Sequence, residues 1–65
     1  MITFFQEYNT DRILTSPDVY IAPNKGERVK IGDIWYVVVE RTFYISNHPY
    51  CTVYVKKSNL DRKLK

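Results

Sequence analysis

Cysteine is nearly absent from this chain: Cys51 stands alone among 65 residues. A lone thiol makes no internal disulfide, which fits a reducing compartment. Histidine is as scarce, with His48 its only representative. One His and one Cys cannot close a tetrahedral Zn²⁺ shell, and there is no CxxC pair. Gly26 and Gly32 are the only glycines, so no glycine-rich phosphate loop is present. Long apolar runs and a signal-peptide pattern are missing too, which points to a soluble, unexported protein with no membrane contact. The chain also lacks repeats, low-complexity stretches and any amphipathic helical segment of length.

These scarcities bear on catalysis. A nucleophile–base pair would need Cys51 or a serine beside His48, plus an orienting carboxylate. His48 precedes a proline in a loop, and strand alternation points Cys51 inward as a small buried hydrophobe. The carboxylates Glu7, Asp11, Asp18, Glu27, Asp33, Glu40 and Asp61 are scattered, mostly beside turns. No catalytic, cofactor-binding or metal-ligating residue is assigned, and neither an enzyme nor a small-molecule substrate is expected.

What is present is aromatic and β-branched. Apolar residues make up 45% and aromatics 15%, enough for a compact core and against disorder. At 65 residues the chain is one domain. A domain so small buries only about 60% of its unfolded surface and is marginally stable alone. The net charge of +3 is unevenly placed: residues 56–65 carry net +4, and the preceding 55 carry net −1. Basicity is thus a property of the tail, not of a uniformly basic surface.

The organising stretch is Glu27 to Val39. Arg28-Val29-Lys30-Ile31 alternates with period two, as a half-buried strand does. Gly32-Asp33 is a two-residue Gly-X loop, suited to a type II′ turn. Ile34 to Val39 favours strand. The loop sets the register: Ile31 opposite Ile34, Lys30 opposite Trp35, Val29 opposite Tyr36, Arg28 opposite Val37. Opposed residues share a face. Val29, Ile31, Ile34, Tyr36 and Val38 therefore point inward together. Arg28, Lys30, Trp35, Val37 and Val39 share the other face, which is too apolar to be simply solvated and requires a cover.

Around this hairpin the chain reads as further short strands. Met1 to Tyr8 is a first strand with Ile2 and Phe4 on one side. Asn9-Thr10-Asp11 is a turn, and Arg12 to Ser16 is a short strand or irregular connection. Asp18 to Ala22 reads as a strand after Pro17, and Pro23 to Gly26 as a turn. The second hairpin strand continues through Tyr44-Ile45. This places Glu40 and Thr42 awkwardly inward unless a β-bulge falls near Glu40-Arg41. Ser46 to Pro49 is a loop with Ile45 pairing Tyr50, so Arg41 faces Tyr54. Cys51, Val53 and Val55 point inward from a last strand. Ser58 with Asp61 three residues on resembles a weak helix start, with Leu60 and Leu64 packing back. The expected architecture is an all-β, five-stranded SH3-like barrel over 1–57, then a basic helical turn or tail over 58–65.

Two surfaces suit a partner. Tyr44, Ile45, His48, Pro49 and Tyr50 form an aromatic tip. With Trp35 it offers residue types enriched at protein interfaces, so Trp35, Tyr44, His48 and Tyr50 are the protein-interaction candidates. The alternative is nucleic acid on a basic-aromatic face: Arg28, Lys30, Trp35, Arg41, Tyr54, Lys56 and Lys57. Against the nucleic-acid reading stands one in which Trp35, Val37 and Val39 pack beneath the N-terminal strand with basic stems draped around them. Against the aromatic tip stands a local aromatic cluster that closes the barrel end.

The run Pro23-x-x-Gly26-Glu27-x-Val29-x-Ile31-Gly32-x-x-x-Tyr36-x-Val38-x-x-Arg41-x-Phe43, with the alternation Cys51–Val55, resembles small bacteriophage and prophage β-barrel proteins of uncertain function. The resemblance spans roughly half the chain and carries over no catalytic residue. It implies an SH3-like fold and a phage or mobile-element origin. The expected role is protein interaction or self-association, in virion assembly or inhibition of a host factor. The place would be the host cytoplasm or the virion.

Overall fold

A computed structural model describes residues 2–15 and 20–58. Four strands form one sheet: β1 (Ile2–Glu7), β2 (Arg28–Ile31), β3 (Ile34–Tyr44) and β4 (Tyr50–Lys57). Their spatial order is β1-β4-β3-β2. β1 runs parallel to β4, and the other pairs are antiparallel. The sheet curls into a half-barrel. The protein is thus all-β, with no helix among the described residues, and none that is long and apolar enough to cross a membrane.

The hairpin forms as its sequence dictates. Gly32 takes φ +63°, while Asp33 keeps a negative φ, the combination of a type II′ turn. Arg28 opposes Val37, Val29 opposes Tyr36, Lys30 opposes Trp35 and Ile31 opposes Ile34. Its entry is also built by glycine. Gly26 at φ +91° sits third in a turn closed by Glu27 N–H donating to Asn24 O at 3.1 Å. Gly26 N–H donates to Val38 O and Val38 N–H to Glu27 O, each at 2.9 Å, so two residues oppose one in a glycine bulge.

A second bulge lies at Val39, one residue before the Glu40-Arg41 expected. Val38 opposes Val55 and Glu40 opposes Tyr54, leaving Val39 unpaired. The extra residue exchanges the two sides of the strand. Upstream, Tyr36 and Val38 point inward; downstream, Arg41 and Phe43 lie opposite Val53 and Cys51. Glu40, Thr42 and Tyr44 turn outward, so the predicted conflict of Glu40 and Thr42 with the core disappears. The β3–β4 connection is correspondingly one residue longer, with Tyr44 rather than Ile45 opposite Tyr50.

β1 buries Thr3 and Phe5 against Cys51, Val53 and Val55, and turns Ile2, Phe4 and Gln6 to the other face. Its free edge is covered locally. Asn9 at φ +65° reverses the chain, a conformation asparagine tolerates. Glu7 N–H then donates to Arg12 O at 2.9 Å and Leu14 N–H to Phe5 O at 2.7 Å. Paired this way, the β1 edge is closed over Phe5–Glu7. The core is Phe5, Tyr36, Val38, Cys51, Val53 and Val55, with Leu14, Ala22, Val29 and Ile31 packed on it.

Three expectations change. Among the described residues the sheet has four strands where five were expected. Of the expected Asp18–Ala22 strand, Tyr20–Ala22 lies outside any strand, and Asp18 and Val19 lie outside the described residues. That segment is tied down instead by Arg41 Nη1 donating to Ala22 O at 2.7 Å. β1 extends the sheet beside β4 and does not pass beneath Trp35 and Val37. Ile34, at the hairpin tip, is 43% exposed rather than in the core. The helical turn expected from Leu60 and Leu64 lies outside the described residues.

Candidate functional site: the outer sheet face

The two proposed surfaces occupy one face of the sheet, opposite the core. The register sets its layout in rows. Ile2, Tyr50 and Tyr44 share the first row; Phe4, Thr52 and Thr42 the second; Gln6, Tyr54 and Glu40 the third. Lys56, Val37 and Arg28 come next, and Trp35 and Lys30 last. At about 3.3 Å per residue, Tyr44 and Trp35 stand roughly 25–30 Å apart along β3. The face therefore has an aromatic end and a basic end.

At the aromatic end, Tyr44 stacks on Tyr50 with centroids 4.6 Å apart and planes at 17°. Phe4 meets Tyr50 edge-on at 5.7 Å and 86°. Such pairs contribute about 0.5–1.5 kcal/mol beyond their burial. Together with Ile2, His48 and Tyr54 they line an open groove of about 630 Å³. The turn that holds His48 is tightened by its own N–H donating to Ser46 Oγ at 3.2 Å. Of the candidates Tyr44, His48, Tyr50 and Trp35, the first three thus converge, and Trp35 is remote.

The hydroxyls of Tyr44 and Tyr54 approach to 3.5 Å. That contact, then burial and the nearby Tyr44, Glu40 and Tyr50, push the Tyr54 phenol from its ordinary 10.0 up to about 12. It stays a neutral donor across the physiological range. Beside it, Tyr8, Asp11, Glu40 and Tyr54 enclose a second hollow of about 390 Å³. Neither Asp11 nor Glu40 has an ion-pair partner among the described residues.

At the basic end, Trp35 is half-buried between cations. The Arg28 guanidinium lies 5.3 Å and the Lys30 ammonium 5.6 Å from its ring centroid. Lys56 is in the adjoining row, so Arg28, Lys30, Trp35, Tyr54 and Lys56 share the face as expected. Arg41 and Lys57 do not. The Val39 bulge places Arg41 opposite Val53, with its guanidinium 5.2 Å from the Phe43 ring. Lys57 opposes Tyr36, on the core side.

No protein-family model, no curated protein and no solved structure matches this chain.

Cys51 and His48 lie on opposite sides of the sheet. Cys51 is fully buried, and burial pushes its thiol up against a smaller opposing pull from Arg41. A raised thiol is a poor nucleophile. Among the described residues no three His, Cys, Asp or Glu side chains gather around a point.

Phe4, Ile2, Asp11 and Glu40 were missed as site residues. Ile2 and Phe4 alternate with Thr3 and Phe5, so the sequence shows two faces of β1 but not which joins the core. That choice is made by parallel pairing with β4, some fifty residues away, and no local signal encodes it. Glu40 was readable in principle: a carboxylate assigned inward marks the wrong side of a bulge.

Proposed function

We propose that the protein is a non-enzymatic binding module that engages a protein through the aromatic end of its outer sheet face. The observation that carries this reading is the open groove beside the Tyr44–Tyr50 stack. Its rings converge from three strands, on the side away from the core, and no described element covers them. Preorganised aromatic rings of this kind anchor protein interfaces. The half-barrel is read as a reduced SH3-like barrel of phage or mobile-element origin. It would serve in virion assembly or against a host factor, in the host cytoplasm or the virion.

The test is association by the full chain, alone and with host lysate, compared with Tyr50→Ala and Tyr44→Ala. Both variants should keep the far-ultraviolet dichroism of the parent and lose association. Unchanged association in both would remove the groove from consideration.

A second reading has its own observation, the two cations over Trp35 with Lys56 beside them. Single-stranded nucleic acid would place phosphates on those cations and a base on the indole. The loss of Arg41 and Lys57 from the face, and the carboxylates of Asp11 and Glu40 along it, weigh against this reading. Quenching of Trp35 fluorescence by oligonucleotides, weakening steeply with salt, would support it. Silence at low salt would end it.

A further inference from the structure

The outer face carries Phe4, Tyr50, Tyr54, Trp35 and Val37 half-exposed, and no described strand packs over that face. Among the described residues, the core on the opposite face is Phe5, Tyr36, Val38, Cys51, Val53 and Val55. A second, largely apolar face on the same sheet calls for a specific occupant.

We propose that this occupant is a second copy of the chain, stacked face to face about a two-fold axis running along the strands. The inference rests on the binding-module reading above and names its partner.

Three features select this arrangement. The first is charge. A two-fold axis along the strands keeps each row at its own level and exchanges the sides of the sheet, so β1 of one copy lies over the β2 side of the other. Arg28 shares a row with Val37 and Lys56. At that level, on the far side, β1 gives way to the Tyr8–Asp11 turn, since Tyr8 N–H donates to Val55 O at 2.8 Å. Arg28 and Lys30 of each copy therefore come over Asp11 of the other, a carboxylate with no cation partner in its own chain's described residues.

The second feature is the centre. The same axis exchanges β3 with β4. It sets Tyr44 against Tyr50, Thr42 against Thr52, Glu40 against Tyr54 and Lys56 against Val37. Rings meet rings and no like charges face one another. An axis across the strands would instead set Glu40 against Glu40, and like charges opposed in an interface are unfavourable. Packed sheets lie about 10 Å apart with strands within about 30° of alignment, so these partners meet as neighbours rather than in strict register.

The third feature is area. Each strand residue tiles about 16 Å² of sheet, which gives at most roughly 450 Å² per copy and roughly 900 Å² for the pair, less where the curl of the sheet bends its edges away. This lies just under the roughly 1,000 Å² that marks stable specific interfaces, in the range of weak, transient association. The dimer is accordingly a modest one, sensitive to single substitutions.

The experiment is sedimentation equilibrium of the full chain and four variants, with dichroism as the control for folding. The wild-type chain should reach twice its monomer mass as concentration rises. Arg28→Asp and Asp11→Arg should each weaken dimerisation about ten-fold by opposing like charges. The double variant, with the charges exchanged, should recover most of the loss, which mere surface perturbation would not do. Tyr50→Ala should leave a folded monomer. A wild-type chain monomeric at every soluble concentration overturns the dimer. So does a dimer in which the exchanged pair gives no recovery. If a monomeric chain still captures another protein through Tyr50, only the identity of the partner is wrong. If neither association nor capture responds to Tyr50, the binding-module reading falls as well.

Discussion

Phe4 and Phe5 are chain neighbours with the same side chain, and they meet opposite fates. Phe5 is 4% exposed in a core otherwise made of valines, Tyr36 and Cys51. Phe4 stands half-exposed among tyrosines on the other face. The inner face is built from small, branched side chains that fill a curled interior in few rotamers. The outer face is built from large rings that stack in the open. The difference teaches that one sheet here does two jobs. One side holds the fold, and the other carries area in excess of what the fold uses.

Phe5→Ala should break the comparison most severely. Removing a buried ring costs about 3–5 kcal/mol. On so small a domain, urea denaturation should find little folded protein left. Gly32→Ala attacks the device that sorts the faces. No atom lies within 4 Å of the added Cβ, so the expense is the left-handed backbone alone, about 1–2 kcal/mol. A D-alanine at the same position should restore or exceed wild-type stability, because its mirror-image preference suits φ +63°.

Thr3→Val sharpens the comparison in the other direction. Thr3 is fully buried, and its Oγ1 has no hydrogen-bond partner among the described residues. An isosteric methyl there should stabilise by about 1 kcal/mol, read as a raised denaturation midpoint. Phe4→Ala should cost about 0.5–1.5 kcal/mol for its edge contact with Tyr50 plus the partial burial of its ring, well below the loss from Phe5, and yet abolish association. A loss as large as that from Phe5 would show that the outer face is structural after all.

The smallest effect is a titration. Tyr54 holds its proton more tightly in the folded state than the ordinary 10.0 would imply. Between 10.0 and about 12 the unfolded chain ionises while the folded one does not, so stability present below that window is lost as pH rises through it. Tyr44→Phe removes the hydroxyl that contributes most. Ultraviolet titration of phenolate should then show the highest-titrating tyrosine moving down toward the ordinary value.

Local chemistry made part of this legible. The Gly32 turn, four registered pairs, and the inward Cys51, Val53 and Val55 all follow from period-two alternation beside a two-residue loop. Reading failed where one residue was added or one long-range choice was made. The Val39 bulge displaced β3–β4 pairing by one and carried Arg41 off the candidate face. A strand over Asp18–Ala22 was suggested by composition, but strand composition describes a fit to neighbours, and the described Tyr20–Ala22 part pairs with no strand. The aromatic end was found from Tyr44, His48 and Tyr50, while Phe4 came to it only through β1.

Parallel pairing of Ile2–Glu7 with Tyr50–Lys57 also has a consequence for synthesis. On the ribosome, β2, β3 and β4 can zip together in the order they emerge. The first-made strand must wait, with Phe4 and Phe5 both uncovered, until its partner clears the exit tunnel. Closing so distant a contact is slow by its nature. The interval before it closes is when the nascent protein is most open to chaperones, proteases and mispairing with its own kind.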